Sequence, residues 1–147
     1  MTLYMQTTKI SAEQTAAKIQ NLLGMNGAKA IMSEFEKCEV VALSFKIEIN
    51  GREIPFRLPI REEPIFKHLY TRVKNQKKER EQEIREQAKR VAWRQILRWL
   101  EAQLALTQTG MAYIKEVFMP YIQIDISGQT LYQRMSKDNF QALEYKK

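Results

Sequence analysis

Residues 79–107 read EREQEIREQAKRVAWRQILRWLEAQLALT, and their pattern decides how the rest of the chain can be arranged. The stretch is charged at its start, mostly apolar toward its end, and holds both tryptophans, Trp93 and Trp99. At 100° per residue, Ile84, Ala88, Ala92, Ile96, Trp99, Ala102 and Leu106 fall on one side of a helical wheel. Trp93, Leu97, Leu100 and Leu104 fill an adjacent sector. A helix that is apolar over more than half its circumference needs two covers. The spacing therefore predicts one long helix, with one sector packed on a sheet and the other on terminal helices or a second subunit. Both tryptophans lie in apolar sectors, which suits core packing better than base stacking.

The remaining sector carries Arg90, Arg94, Arg98 and Glu101, and the three arginines form one row at i, i+4, i+8. Glu86 is placed to pair with Arg90, and Glu101 with Arg98. Arg94 has no acid three or four positions away, so it must find a carbonyl, a carboxylate or a phosphate elsewhere. Three readings of the row stand side by side. One is a solvated face whose ion pairs contribute about 1 kcal/mol or less each. The others are an anion or nucleic-acid contact and a buried interface pairing.

Upstream, residues 40–49 alternate strictly. Val41, Leu43, Phe45, Ile47 and Ile49 share one face, and Val40, Ala42, Ser44, Lys46 and Glu48 the other. Asn50-Gly51 follows, the residue pair that a type I′ hairpin turn favours because both positions need positive φ. Closing the turn at Ile49/Arg52 sets Ile47 opposite Ile54, Phe45 opposite Phe56, Leu43 opposite Leu58 and Val41 opposite Ile60. In this register Pro55 and Pro59 occupy positions whose N–H would point away from the partner strand, so neither removes a ladder bond. They mark residues 52–60 as an edge strand closed to a further strand. Residues 29–36 then flank the other side of 40–49, giving a three-stranded antiparallel meander.

Ser11 opens a helix over 12–23 with a capping-box pattern through Gln14, and Gly24 is read as its stop. Glu62-Glu63-Pro64 can start a short helix or an early beginning of the long one, and VKNQKKER (73–80) reads as a loop. After Gly110, Ala112–Met119 reads as a short helix and Tyr121–Ile126 as extended. Ser127-Gly128 reads as a turn, and Thr130–Met135 as one helical turn. A terminal helix over 137–144 is capped by Ser136.

The composition suits one domain over residues 1–147 with a sizeable core. Cys38 is the only cysteine, so no intramolecular disulfide forms, as expected of a reducing cytoplasm. Neither a secretory signal nor a membrane-length apolar run is visible. One histidine and one cysteine exclude a Cys/His metal cluster, no glycine-rich phosphate loop occurs, and only two aspartates are present. These absences point away from an enzyme and from any cofactor or metal. The net charge is +7, and residues 64–100 hold eleven Lys/Arg against four Glu, so this segment carries the whole excess. Such a field attracts polyanions or an acidic partner, or simply keeps a helix face solvated.

The stretch REQAKRVAWRQILRWLEAQLALTQTGMAYIKEVFMPYIQIDISGQTLYQRM (85–135) resembles the C-terminal half of a family of small uncharacterised proteins from bacteriophages and prophages. The shared pattern is Trp93-Arg94 opening a helix, then Lys115–Phe118, Tyr121-Ile122 and Gly128–Met135. ALSFKIEINGREIPFRLPIR (42–61) is similar to that family's hairpin, with its Gly-Arg turn and Leu-Pro end. The resemblance implies a phage or mobile-element context in a bacterial cytoplasm and assigns no activity.

The expected fold is α+β: an N-terminal helix, a three-stranded antiparallel β-meander, a long central helix packed on the sheet, and short C-terminal helices. The expected function is a non-enzymatic accessory protein binding DNA or RNA. Its phosphate contacts would be Lys74, Lys77, Lys78, Arg80, Arg90, Arg94 and Arg98, with Arg57 and Arg61 from the edge strand. The alternative is a protein-interaction module, such as an inhibitor of a host defence complex, that uses the same basic segment against an acidic or nucleic-acid-containing partner. A homo-oligomer would supply the second cover for the long helix.

Overall fold

The computed structural model describes residues 2–73 and 78–143. The elements run α1 (Ala12–Met25), β1 (Ala28–Glu36), β2 (Glu39–Ile49), β3 (Arg52–Pro59), α2 (Glu63–Tyr70), α3 (Lys78–Gln108), α4 (Ile114–Phe118) and α5 (Leu131–Lys137). Short 3-10 turns cover Met119–Tyr121 and Gln141–Leu143. The fold is α+β. The chain forms two compact units, one of Met1–Met25 with Ile60–Gln103, the other of Asn26–Pro59 with Leu104–Lys147.

In the first unit, the Ser11 hydroxyl accepts the Gln14 amide at 3.2 Å and so caps α1. The helix buries Ala12, Thr15, Ile19 and Leu23, and it runs through Gly24 before Gly27 turns the chain at φ +99°. A glycine inside a helix costs only about 1 kcal/mol relative to alanine, so Gly24 alone does not stop it. Pro64 lies in the first turn of α2, where its missing N–H costs nothing. Phe66 of α2 is buried, stacks on Tyr70 at 5.3 Å, and carries the Arg85 guanidinium 3.8 Å above its ring. Arg85 also pairs with Glu63 at 3.2 Å, joining α2 to α3. The N-terminal segment is fixed to α3 by two glutamine amides. Gln87 donates to the carbonyls of Gln6 at 2.8 Å and Thr8 at 2.9 Å, and Gln95 donates to that of Tyr4 at 2.8 Å.

Along α3 the buried residues are Ala88, Val91, Ala92, Trp93, Arg94, Leu97, Leu100 and Leu104. The Trp93/Leu97/Leu100/Leu104 sector is buried as expected. The Ile84/Ile96/Trp99/Leu106 sector is half-covered, and Ala102 is exposed. Val91 through Arg94 are four consecutive buried residues, so at this turn the helix is covered all round.

The second unit is built on the antiparallel sheet β1-β2-β3. The hairpin register is the expected one, with Ile47 opposite Ile54, Phe45 opposite Phe56 and Leu43 opposite Leu58. Asn50 and Gly51 take φ of 53° and 79°. The β1–β2 turn is a second left-handed pair, Lys37 and Cys38 at φ 49° and 66°, formed without the residues that favour it. Phe118, at the end of α4, is fully buried and meets Phe45 edge-on at 5.6 Å and Phe56 at 5.9 Å.

Among the described residues, the outer edge of β3 carries one bridge, Phe56 to Ile122, in which the Gln123 amide donates to the Pro55 carbonyl at 2.9 Å. Proline lacks a donor but keeps its acceptor, so Pro55 can take part in this bridge. Thr130 caps α5 reciprocally with Gln133, at 3.3 Å and 2.9 Å. Ser136 lies inside α5 and caps nothing, and the chain beyond Lys137 makes only a short 3-10 turn up to Leu143. Residues 144–147 lie outside the described residues.

Candidate functional site

The basic residues expected to meet phosphate have different surroundings. Lys74 and Lys77 lie outside the described residues. Lys78 and Arg80, on the first turn of α3, are exposed, as are Arg61 and, outside the expected set, Lys67 of α2, and none of these four makes an ion pair with a described residue. Arg90 is half-buried and gives its Nε and Nη2 to Gln87 Oε1 at 2.9 and 2.7 Å, in place of the expected Glu86. Arg98 is exposed and pairs with Glu101 at 3.0 Å, as the spacing predicted.

Arg94 is 0% exposed. Its Nε and Nη2 have no hydrogen-bond partner among the described residues. Successive members of an i, i+4 row step about 40° around the helix axis. The row therefore cannot keep one environment, and its middle member falls on the turn that is covered all round.

Arg57 belongs to the second unit and is engaged there. Its Nε lies 3.1 and 2.9 Å from the two oxygens of Glu34, and its Nη2 lies 2.9 Å from Oε2. Ser44, directly opposite Arg57 in the β2–β3 register, donates its hydroxyl to Glu34 Oε1 at 2.7 Å. One polar cluster thus crosses all three strands. The Arg57 hydrogen bond holds the Glu34 carboxyl below its ordinary pKa, Ser44 adds to this, and partial burial opposes it. The hairpin register already set Arg57 opposite Ser44. The missing signal was Glu34 on β1, because the β1–β2 pairing contains bulges that no local pattern announces.

Beside Arg57 the loop after Ile122 forms a shallow cleft of about 680 Å³, lined by Arg57, Asp125, Gly128, Gln129, Tyr132 and Lys137, among others. Gly128 has φ +89°, and a β-carbon there would sit 3.4 Å from the Arg57 side chain. Asp125 accepts from the Ser127 hydroxyl at 2.6 Å and the Gln129 amide at 3.0 Å. These bonds, the Ser127 hydroxyl first, lower its pKa, and Lys137 adds a favourable charge. With its amide turned to suit both neighbours, Gln129 bridges Asp125 and Lys137 at 3.1 Å each. Each cation here has an acid beside it, so the cleft has little field to attract a polyanion.

Among the described residues, no group of three or more His, Cys, Asp or Glu side chains could hold a metal ion, and no helix is long and apolar enough to cross a membrane. Cys38 is exposed in the β1–β2 turn, and His68 sits half-buried on α2 of the other unit. No family model, curated protein or solved structure gives a significant match to the chain.

Proposed function

We propose that the chain is a non-enzymatic nucleic-acid-binding protein, an accessory of a phage or mobile element in a bacterial cytoplasm. The reading rests on one observation. Lys67, Lys78 and Arg80 are exposed, lack an ion-pair partner among the described residues, and belong to the segment that holds the whole net charge of +7. Unpaired surface cations keep their field for phosphates, whereas Arg57, Arg85 and Arg98 already spend theirs on carboxylates. Lys74 and Lys77 lie in the same segment and join the set by sequence. Contacts of this kind are sequence-tolerant and fall steeply with salt.

The test is a salt-titrated gel shift on single- and double-stranded DNA and RNA, with wild type and a Lys67→Ala/Lys78→Ala/Arg80→Ala variant. On duplex DNA each lost contact lowers the slope of log affinity against log salt by about 0.9. Absence of binding at about 50 mM salt, well below physiological strength, would sink the reading.

A second reading, an interaction module that inhibits a host defence complex, draws on apolar side chains exposed in the second unit. Ile126 is fully exposed, and Ile124, Tyr132, Phe140 and Leu143 are also exposed. It predicts that a partner protein protects these residues from hydrogen exchange or labelling while the basic triple variant still binds that partner.

A further inference from the structure

We propose that Arg94 is the receptor for a small oxyanion held against the middle of α3. A guanidinium stays charged at every pH at which a protein is folded. Arg94 is 0% exposed, and its Nε and Nη2 meet no acceptor among the described residues. Those two nitrogens form one edge of the guanidinium fork, with two N–H groups pointing the same way. Arg57 spends that same edge on a carboxylate, with Nε and Nη2 each 2.9 Å from Glu34 Oε2. In Arg94 it is unmatched.

The residues three and four positions away are Arg90, Val91, Leu97 and Arg98, so the helix supplies two more cations and no counter-charge. Arg90 is satisfied by Gln87, and Arg98 by Glu101. The neighbouring Trp93 Nε1 is likewise buried without an acceptor among the described residues. A water molecule would accept a hydrogen bond but would leave the charge uncompensated, and an uncompensated buried charge is strongly destabilising. An anion with two oxygens supplies both the acceptors and the charge. Zero exposure selects for size. A small ion can enter through local opening, whereas a polymer backbone cannot reach the fork. This site is separate from the exposed lysines and does not depend on nucleic-acid binding.

The experiment titrates the full chain with inorganic phosphate at constant ionic strength balanced by sodium chloride. It follows Tm and the fluorescence of Trp93 and Trp99, with sulfate and acetate as parallel arms. The expected result is a saturable rise in Tm with an oxyanion, unchanged in Arg98→Ala and lost in Arg94→Leu. Response to phosphate and sulfate alone identifies a tetrahedral oxyanion, and response to acetate identifies a carboxylate. If Arg94→Leu does not fold, Arg94→Lys keeps the charge without the fork and is expected to bind at least about tenfold more weakly. No saturable response in the wild type, or an equal response in an Arg94 variant that folds, overturns the proposal.

Discussion

Replacing Glu34 with Gln removes the charge at the centre of the three-strand cluster while keeping its shape. In the structure this carboxylate takes the Nε and Nη2 of Arg57 at 2.9 Å and the Ser44 hydroxyl at 2.7 Å. Hydrogen bonds to charged groups contribute about 1.5–3 kcal/mol when shielded, and exposed pairs about 0.2–1 kcal/mol. The side chains of Arg57 and Glu34 are 20% and 28% exposed, between those cases. A coupling of about 1–2 kcal/mol at neutral pH follows, measured in a double-mutant cycle of Glu34→Gln and Arg57→Met by urea denaturation.

The sign with pH is set by the direction of the shift. The folded-state pKa of Glu34 lies below its ordinary 4.5, so the stabilisation is present above 4.5 and is lost as pH falls through the folded value. The coupling should therefore vanish in acid. An additive cycle at neutral pH, with coupling under about 0.3 kcal/mol, would refute the reasoning. The same cycle bears on function. If Arg57 is committed to Glu34, Arg57→Met lowers stability and leaves nucleic-acid affinity nearly unchanged.

Phe118→Ala empties the centre of the Phe45/Phe56/Phe118 cluster and is expected to cost about 3–5 kcal/mol in chemical denaturation, since the residue is fully buried. Gln87→Ala removes both side-chain hydrogen bonds to the carbonyls of Gln6 and Thr8, so amide exchange and proteolysis should accelerate in residues 2–10 while β2 stays protected.

Much of the second unit was legible because its signals are local. Strict alternation over 40–49, followed by Asn50-Gly51, leaves only one register that buries a whole face, since a one-residue slip would turn every apolar side chain outward. The Ser11 cap and most of α3 followed from propensity and short-range hydrogen bonding, but α3 begins at Lys78, inside the stretch 73–80 read as a loop, of which 74–77 lie outside the described residues. The left-handed turn at Lys37 and Cys38 carried no such signal. Strand pairing on both sides of it imposes a conformation these residues do not prefer. Ser136 is a good capping residue, but α5 had already started at the Thr130 cap and continued through it.

The sequence by itself determined the elements, the hairpin register and the place of the positive charge, because these depend on the period of the pattern, on turn sterics and on counting. Tertiary structure alone decided which sector of α3 is covered and what becomes of its three arginines. Arg90, Arg94 and Arg98 are chemically identical, and the wheel sets them in one row. Their surroundings differ because burial depends on what the rest of the chain brings around each position. At the turn from Val91 to Arg94 it covers the helix completely, and this separates Arg94, whose buried Nε and Nη2 have no acceptor among the described residues, from Arg90 on Gln87 and Arg98 on Glu101.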